Sequence, residues 1–247
     1  MNTWGNFGIV HLSHLAASIL IIIGLYYLLK NVKKETARLV LFVLSLSGMG
    51  AILYNLLTWG SPIEYLPLHL CSINAILLPI AIATKSRVLG NLLLIWCLGA
   101  LFANLMTFYP TQFSDLYGWT HLFFFLPHTF ELGIPLLLVK LKLVEKKPKY
   151  ILSSLGITAL IYTGVHVANK LLNAYCIRQN LTDWKGELIQ VNYMYSIHPE
   201  NPLLDLFYRI IPHEYWYMYL VFPILAVYLC IVYAKELLAL LRKKKSA

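Results

Sequence analysis

The stretch LPLHLCSINAILLPIAIAT, Leu66 to Thr84, carries the reading of this chain. From Ala75 onward it is a run of Leu, Ile, Ala and Pro with one Thr, the composition of a helix in hydrocarbon. Its first half instead puts His69, Cys71 and Asn74 within two helical turns. Ionisable or reactive groups are costly in hydrocarbon, so each one in a membrane segment is a functional-site candidate. A cysteine there is either inert filler or, if a base reaches it, a nucleophile.

Outward from that stretch the chain keeps the same character. Its 247 residues are 59% hydrophobic and only 13% charged, where a soluble domain carries about 25% charge. Mean hydropathy is +0.67. Seven apolar segments, near 8–29, 39–58, 66–84, 88–108, 119–139, 150–170 and 214–238, approach the ~20 residues that a bilayer core of ~30 Å requires. They lack the alternation of a barrel strand. The expected fold is all-α, a single-domain polytopic bundle of seven transmembrane helices in the cell membrane. The first segment has neither a basic n-region nor a small-residue cleavage site, so it reads as a retained helix.

Basic residues set an expected orientation. Lys30, Lys33, Lys34 and Arg38 follow the first segment, Lys85 and Arg87 the third, and Lys140 to Lys149 the fifth; Arg242 to Lys245 form the tail. Trp59 to Tyr65 and Tyr109 to Gly118 contain no Lys or Arg. The positive-inside rule then places the N-terminus outside and the C-terminus in the cytoplasm. Trp4, Trp59, Trp119, Trp184 and Trp216 fall at or beyond the outer ends, as an aromatic belt would. The net charge of +9 is thus a topology signal with some attraction to anionic lipid, and no nucleic-acid partner is implied. Cysteine placement gives no disulfide framework. The longest connector, 171–213, exceeds forty residues, a length usually reserved for functional loops or mobile linkers. Within it, LLDLFYRII (203–211) has the pattern of a short amphipathic helix on the membrane surface.

In this orientation the polar groups gather on one side. His11 and His14, Asn55, the trio His69, Cys71 and Asn74, Asn104, and His121 and His128 all fall toward outer ends, with Glu131 one turn deeper. At 1.5 Å per residue, Cys71 lies roughly 7 Å, His14 about 9 Å and His128 about 13 Å below the surface. His69 and Cys71 are two apart and face different ways on a helix, whereas Cys71 and Asn74 share a face. His128 or His14 is therefore a better base for Cys71 than His69, and Glu131 is placed to orient His128. Asn74 and Asn104 read more readily as interhelical hydrogen-bond formers than as oxyanion donors.

LPLHLCSIN (66–74), FFFLPHTFELGIPLLL (123–138) and NYMYSIHPENP (192–202) together resemble a bacterial family of integral membrane proteins related to the transmembrane protein 164 acyltransferases. The resemblance implies acyl transfer between phospholipids and lysophospholipids, with the acyl chain carried as a thioester on Cys71 and His128 as base. It implies membrane lipids as substrates and no cofactor or metal. Asn192 and Tyr193, at the head of the loop landmark, join Asn74, Asn104 and Glu131 as candidate substrate-binding residues. Two other readings stay open. One is an outward-facing binding or transport protein, although no repeat or midplane polar cluster supports it. The other is a zinc-dependent lipid hydrolase using His11, His14, His121 and His128, although no HExxH occurs.

Overall fold

The computed structural model describes residues 7–58, 61–106, 121–183 and 185–245. Its helices are α1 (Ile9–Leu29), α2 (Lys34–Thr58), α3 (Leu70–Thr84), α4 (Arg87–Met106), α5 (Leu126–Lys140), α6 (Ile151–Gln179), α7 (Pro202–Ile210), α8 (Val221–Val232) and α9 (Ala234–Lys245). A π-helical turn, His121–Phe125, leads into α5. Among the described residues the only extended pairing is the isolated Thr182–Leu188 bridge. Among the described residues, five helical stretches are long and apolar enough to cross a membrane: His11–Leu29, Lys34–Thr58, Arg87–Leu105, Phe123–Lys140 and Pro148–Gln179. Leu70–Thr84 and Trp216–Val232 are apolar but shorter.

The differences from the sequence reading have local causes. The third segment becomes helical only at Leu70, because Leu66 precedes a proline and stays extended (ψ 142°), as does His69 (ψ 153°); a residue before proline is pushed out of the α region. Fifteen residues make a helix of about 22 Å. The sixth segment runs on to Gln179, nine residues past the expected 170, and ends where Asn180 turns left-handed at φ 49°, a conformation Asn tolerates better than most residues. The seventh is divided: a 3-10 turn, Trp216–Leu220, opens α8, and the helix breaks at Tyr233. There the Tyr233 hydroxyl reaches Asn91 Oδ1 at 2.9 Å. The connector is therefore shorter than 171–213 and is built, with α7 inside it. The four tryptophans 4, 59, 119 and 184 and the 109–118 loop lie outside the described residues.

α5 is the axis of the bundle, touching α1, α2, α3 and α4. The spans containing α4 and α5 are 61% buried, against 17–22% for those of α1, α2 and α6, so the latter three turn most of their residues outward. Three contacts fix α1 on α5. His14 meets the Phe125 ring at 4.9 Å, Ser18 Oγ bonds Thr129 Oγ1 at 2.6 Å, and Ile22 fills the space over Gly133. The spacing is four residues on both helices, so α1 and α5 run parallel in one register. α2 runs the other way: Tyr54 stacks on Phe123 at 4.2 Å, while Arg38 Nη2 donates to the Leu143 carbonyl at 2.6 Å. Leu70 packs on Gly99, and Val144 on Gly90. α3 and α5 are thus both antiparallel to α4 and parallel to each other.

One end of the bundle carries the basic residues. Here buried Asn91 donates to the carbonyls of Arg87 and Glu145 and accepts from Lys147 N–H and Tyr233. Lys146 pairs with Glu236 at 3.0 Å. We call this the basic end and its opposite the cap end.

Gly48 lets α2 lie close against Ala75 of α3. A Cβ there would lie 2.6 Å from Ala75 Cβ and 3.4 Å from its Cα, so the helices would have to part. Gly48→Val should cost about 1–3 kcal/mol, read as a lowered midpoint of thermal unfolding in detergent. Gly50 faces open space, so Gly50→Ala should be neutral or slightly stabilising.

Candidate functional site

Cys71 occupies the first turn of α3, half-buried, next to an N-cap (His69) whose side chain does not cap the helix. The first turn of a helix has backbone N–H groups with no intrahelical acceptor and the positive end of the macrodipole. The Cys71 sulfur lies against its own N–H, that of Ser72 and the Ser72 hydroxyl. One turn deeper, buried Asn74 donates through Nδ2 to Glu131 Oε2 at 3.5 Å, and its Oδ1 has no partner among the described residues. Glu131 is itself 4% exposed and within electrostatic range of the Cys71 thiol.

The Asn74–Glu131 contact sets the level of α3 against α5. Cys71 is three residues before Asn74, and His128 three before Glu131, so each lies one turn nearer the cap end on the face that carries the contact. Because the helices are parallel, Cys71 and His128 come to the same level. They are not hydrogen-bonded to each other. His128 Nδ1 instead meets the Phe124 carbonyl at 2.7 Å. A carbonyl only accepts, so Nδ1 carries the proton and Nε2 keeps its lone pair. Orienting His128 thus falls to Phe124, while Glu131 engages Asn74.

The same reasoning sorts the other histidines. His69 Nδ1 accepts the Met194 N–H at 3.3 Å, which leaves the proton on Nε2 and makes the ring a donor. His11 also accepts at Nδ1, from Phe7 N–H at 3.3 Å, and donates from Nε2 to the Asn104 carbonyl at 2.8 Å. It serves as a tie between α1 and α4. His14 is buried with its ring set edge-on against Phe125. Asn104 is 1% exposed, and its side-chain amide has no partner among the described residues. The His121 side chain lies outside the described residues. Among them, no three His, Cys, Asp or Glu side chains converge as a metal ion would require.

Over the start of α3 sits a cap built from the connector that follows α6. Asn173 holds residue 191 by both backbone groups: Nδ2 donates to the Val191 carbonyl at 3.0 Å and Oδ1 accepts its N–H at 2.7 Å. Asn169 holds Tyr193 in the same two-way manner, at 2.8 and 3.0 Å. Four residues of helix rise about 6.0 Å and two of extended chain about 6.6 Å. Asparagines at i and i+4 on α6 can therefore grip alternate residues of a strand laid along the helix. Asn169 also reaches Ser196 Oγ at 2.9 Å, which His166 Nδ1 meets at 3.1 Å.

From this clamp the cap reaches across to α3. The Tyr193 hydroxyl donates to the Ile63 carbonyl and accepts the Leu66 N–H. Burial pushes that phenol up to about 12, so it stays protonated at any working pH. The Tyr193 and Tyr195 rings pack on His69 at 5.2 and 5.6 Å. Met194 and Tyr195 both sit in the left-handed region, at φ 52° and 54°, costing about 1–2 kcal/mol each. That turn aims Met194 N–H at His69. Asn192 points the other way and organises the cap itself, accepting from Ile197 N–H at 2.9 Å and donating to the His198 carbonyl and Glu200. Of the two loop candidates, Tyr193 thus touches the neighbourhood of Cys71, and Asn192 supports the loop. Asn169, Asn173 and Ser196 went unread in the sequence; the i, i+4 pair of asparagines in an apolar helix was the available signal.

This chain belongs to the TMEM164 family, whose match spans residues 6–233. The match ends at Tyr233, the break between α8 and α9, so the basic tail lies beyond it. No curated protein and no solved structure matches the chain.

The clamp predicts its own failure. Asn169→Ala and Asn173→Ala each strand a buried backbone N–H and C=O, at about 1–3 kcal/mol for each group left unsatisfied. Limited proteolysis in detergent should cut the double variant within 189–200 at least tenfold faster than the parent, while the basic end stays protected.

Proposed function

We propose that this TMEM164-family protein is a membrane acyltransferase that moves a fatty acyl chain between phospholipids through a thioester on Cys71. The observation that carries the reading is the shared level of Cys71 and His128, with the lone pair of His128 left on Nε2 by the Phe124 carbonyl. A thiol becomes a competent nucleophile when a base takes its proton, and of His11, His69 and His128 only the last has a basic nitrogen to offer. The distance between the two side chains would close when substrate enters, as catalytic contacts often do.

In the first half-reaction the Cys71 sulfur attacks the ester carbonyl of the donor lipid while its proton passes to His128 Nε2. The C–O bond to the glycerol oxygen breaks, and that oxygen leaves as a hydroxyl with the proton from His128. In the second half, His128 takes the proton of an acceptor lysophospholipid hydroxyl, whose oxygen attacks the thioester. The new ester forms, the C–S bond breaks, and the proton returns to the thiolate. No cofactor or metal enters the scheme. The uncapped first turn of α3 supplies backbone N–H donors for the oxyanion of each tetrahedral intermediate. Asn74 is occupied with Glu131 and sets the register, a positioning role.

The same reading takes the chain as one domain in the cell membrane, crossing seven times with α3 and α8 as the short crossings. The basic end faces the cytoplasm and the N-terminus is outside. Cys71 then lies in the outer leaflet's headgroup region, at the depth of a lipid ester. The cap lies above it, and α7 turns exposed Leu206 and Ile210 outward in the manner of an interfacial helix.

Purified protein incubated with phospholipid should gain the mass of an acyl chain, released by hydroxylamine. Cys71→Ala should lack the adduct entirely, and His128→Ala should form it about 10²–10⁴-fold more slowly. An adduct that persists in Cys71→Ala would overturn the thioester mechanism.

A further inference from the structure

At the basic end, on the far side of α5 from Cys71, a groove of about 540 Å³ opens between α1, α5 and α8. Its floor is Leu94 of α4, and its walls include Ile22, Ile23, Leu136, Leu137 and Val232. Ordinary ligand sites run from about 300 to 1,000 Å³. The groove extends from Ile22 to Tyr27 on α1 and from Leu136 to Lys140 on α5. That is about 6–8 Å of helix, the depth of a lipid's ester region and first methylenes rather than of a whole chain.

The mouth is cationic. Lys140 and Lys146 line it, and Lys30 lies over the ring of Tyr27, a lining residue, at 4.4 Å. Lys146 is already neutralised: its ammonium pairs with Glu236 at 3.0 Å and donates to the Val232 carbonyl. Lys140 and Lys30 are exposed and make no ion pair among the described residues. Two uncompensated ammonium groups above a dry apolar slot, with Tyr26 and Tyr27 between them, match an anionic headgroup above its acyl chain. An interfacial cation attracts anionic lipid.

We propose that this groove is a binding site for one anionic phospholipid of the leaflet at the basic end, its phosphate held by Lys30 and Lys140 and its proximal chain laid on Leu94 and Leu137. The site is separate from the reaction centre at the cap end. A lipid here braces α1 against α5 and α8 where no side-chain hydrogen bond among the described residues does so.

Native mass spectrometry of the detergent-solubilised full chain, with phosphatidylglycerol and phosphatidylcholine of identical chains, tests this. The parent should retain phosphatidylglycerol about tenfold better. Lys30→Glu/Lys140→Glu should abolish the preference with an unchanged unfolding midpoint without lipid, because both side chains are exposed. Ile23→Trp, which fills the groove, should lower retention of both lipids. Equal retention by the parent, or an undiminished preference in the double lysine variant, would overturn the site. Cys71→Ala should retain phosphatidylglycerol like the parent. Its loss there would place the lipid at the reaction centre and overturn a separate site, whereas failure of acyl transfer alone leaves the groove untouched.

Discussion

A carboxyl group in the apolar core of a helical bundle must find a partner, and Glu131 finds Asn74. Everything at the cap end is arranged about that pair. Glu131 lies where three helices meet, its other oxygen directed toward the bare backbone of Gly48, so α2 must come close for the pair to be enclosed. Asn74 can reach it only if α3 is at one level against α5. A slip of one residue would turn Asn74 about 100° around its helix and strand both polar groups at several kcal/mol. The pair is therefore less a source of stability than a device that selects one register. That register is what lifts Cys71 and His128 to a common level.

The cap solves a different problem. An extended segment beside a helix offers backbone groups that the helix cannot satisfy, since the helix spends its own on itself. Asn169 and Asn173 supply the missing donors and acceptors from side chains, at a spacing that nearly matches the strand repeat. The segment is thereby ordered without a sheet. Once fixed, it tolerates two successive left-handed residues, Met194 and Tyr195, whose conformations bring a main-chain N–H to His69. That bond holds His69 in the tautomer that donates rather than accepts. The histidine nearest Cys71 in sequence is thus held as a donor by a loop more than a hundred residues away.

How much of this the sequence disclosed follows from what sets each feature. Apolar runs report hydrocarbon directly, so the helical class and the five long spanning helices of the described residues were legible, as was Cys71 as the anomalous residue. Ends were less so. The late start of α3 depends on Pro67 and the extension of α6 on the cap it must reach; the break at Tyr233 depends on a hydroxyl bonding Asn91 on another helix. The i, i+3 rule separated His69 from Cys71 and joined Cys71 to Asn74 without coordinates. Tautomers were invisible, because they depend on which backbone group meets each ring. The partner of Glu131 was misjudged for a related reason: the nearest histidine on its own helix lost to an asparagine across the interface.

The division of the molecule into two ends has a physical logic. Polar groups inside a bilayer are tolerated only where they are paired or meet water, so a reaction centre needs an opening and is easiest to build near one surface. Gathering Cys71, Glu131 and the buried histidines at the cap end leaves the basic end to packing and to the hydrogen bonds of Asn91 and Arg38, none of which reaches α1. Only 17% of the α1 span is buried, and the groove begins at Ile22, which fills the space over Gly133. The lightly packed seam and the cationic mouth above it coincide at the end that carries the fixed charges. A lipid filling the seam would hold the register of α1 on α5 from the end that the Ser18–Thr129 bond does not reach.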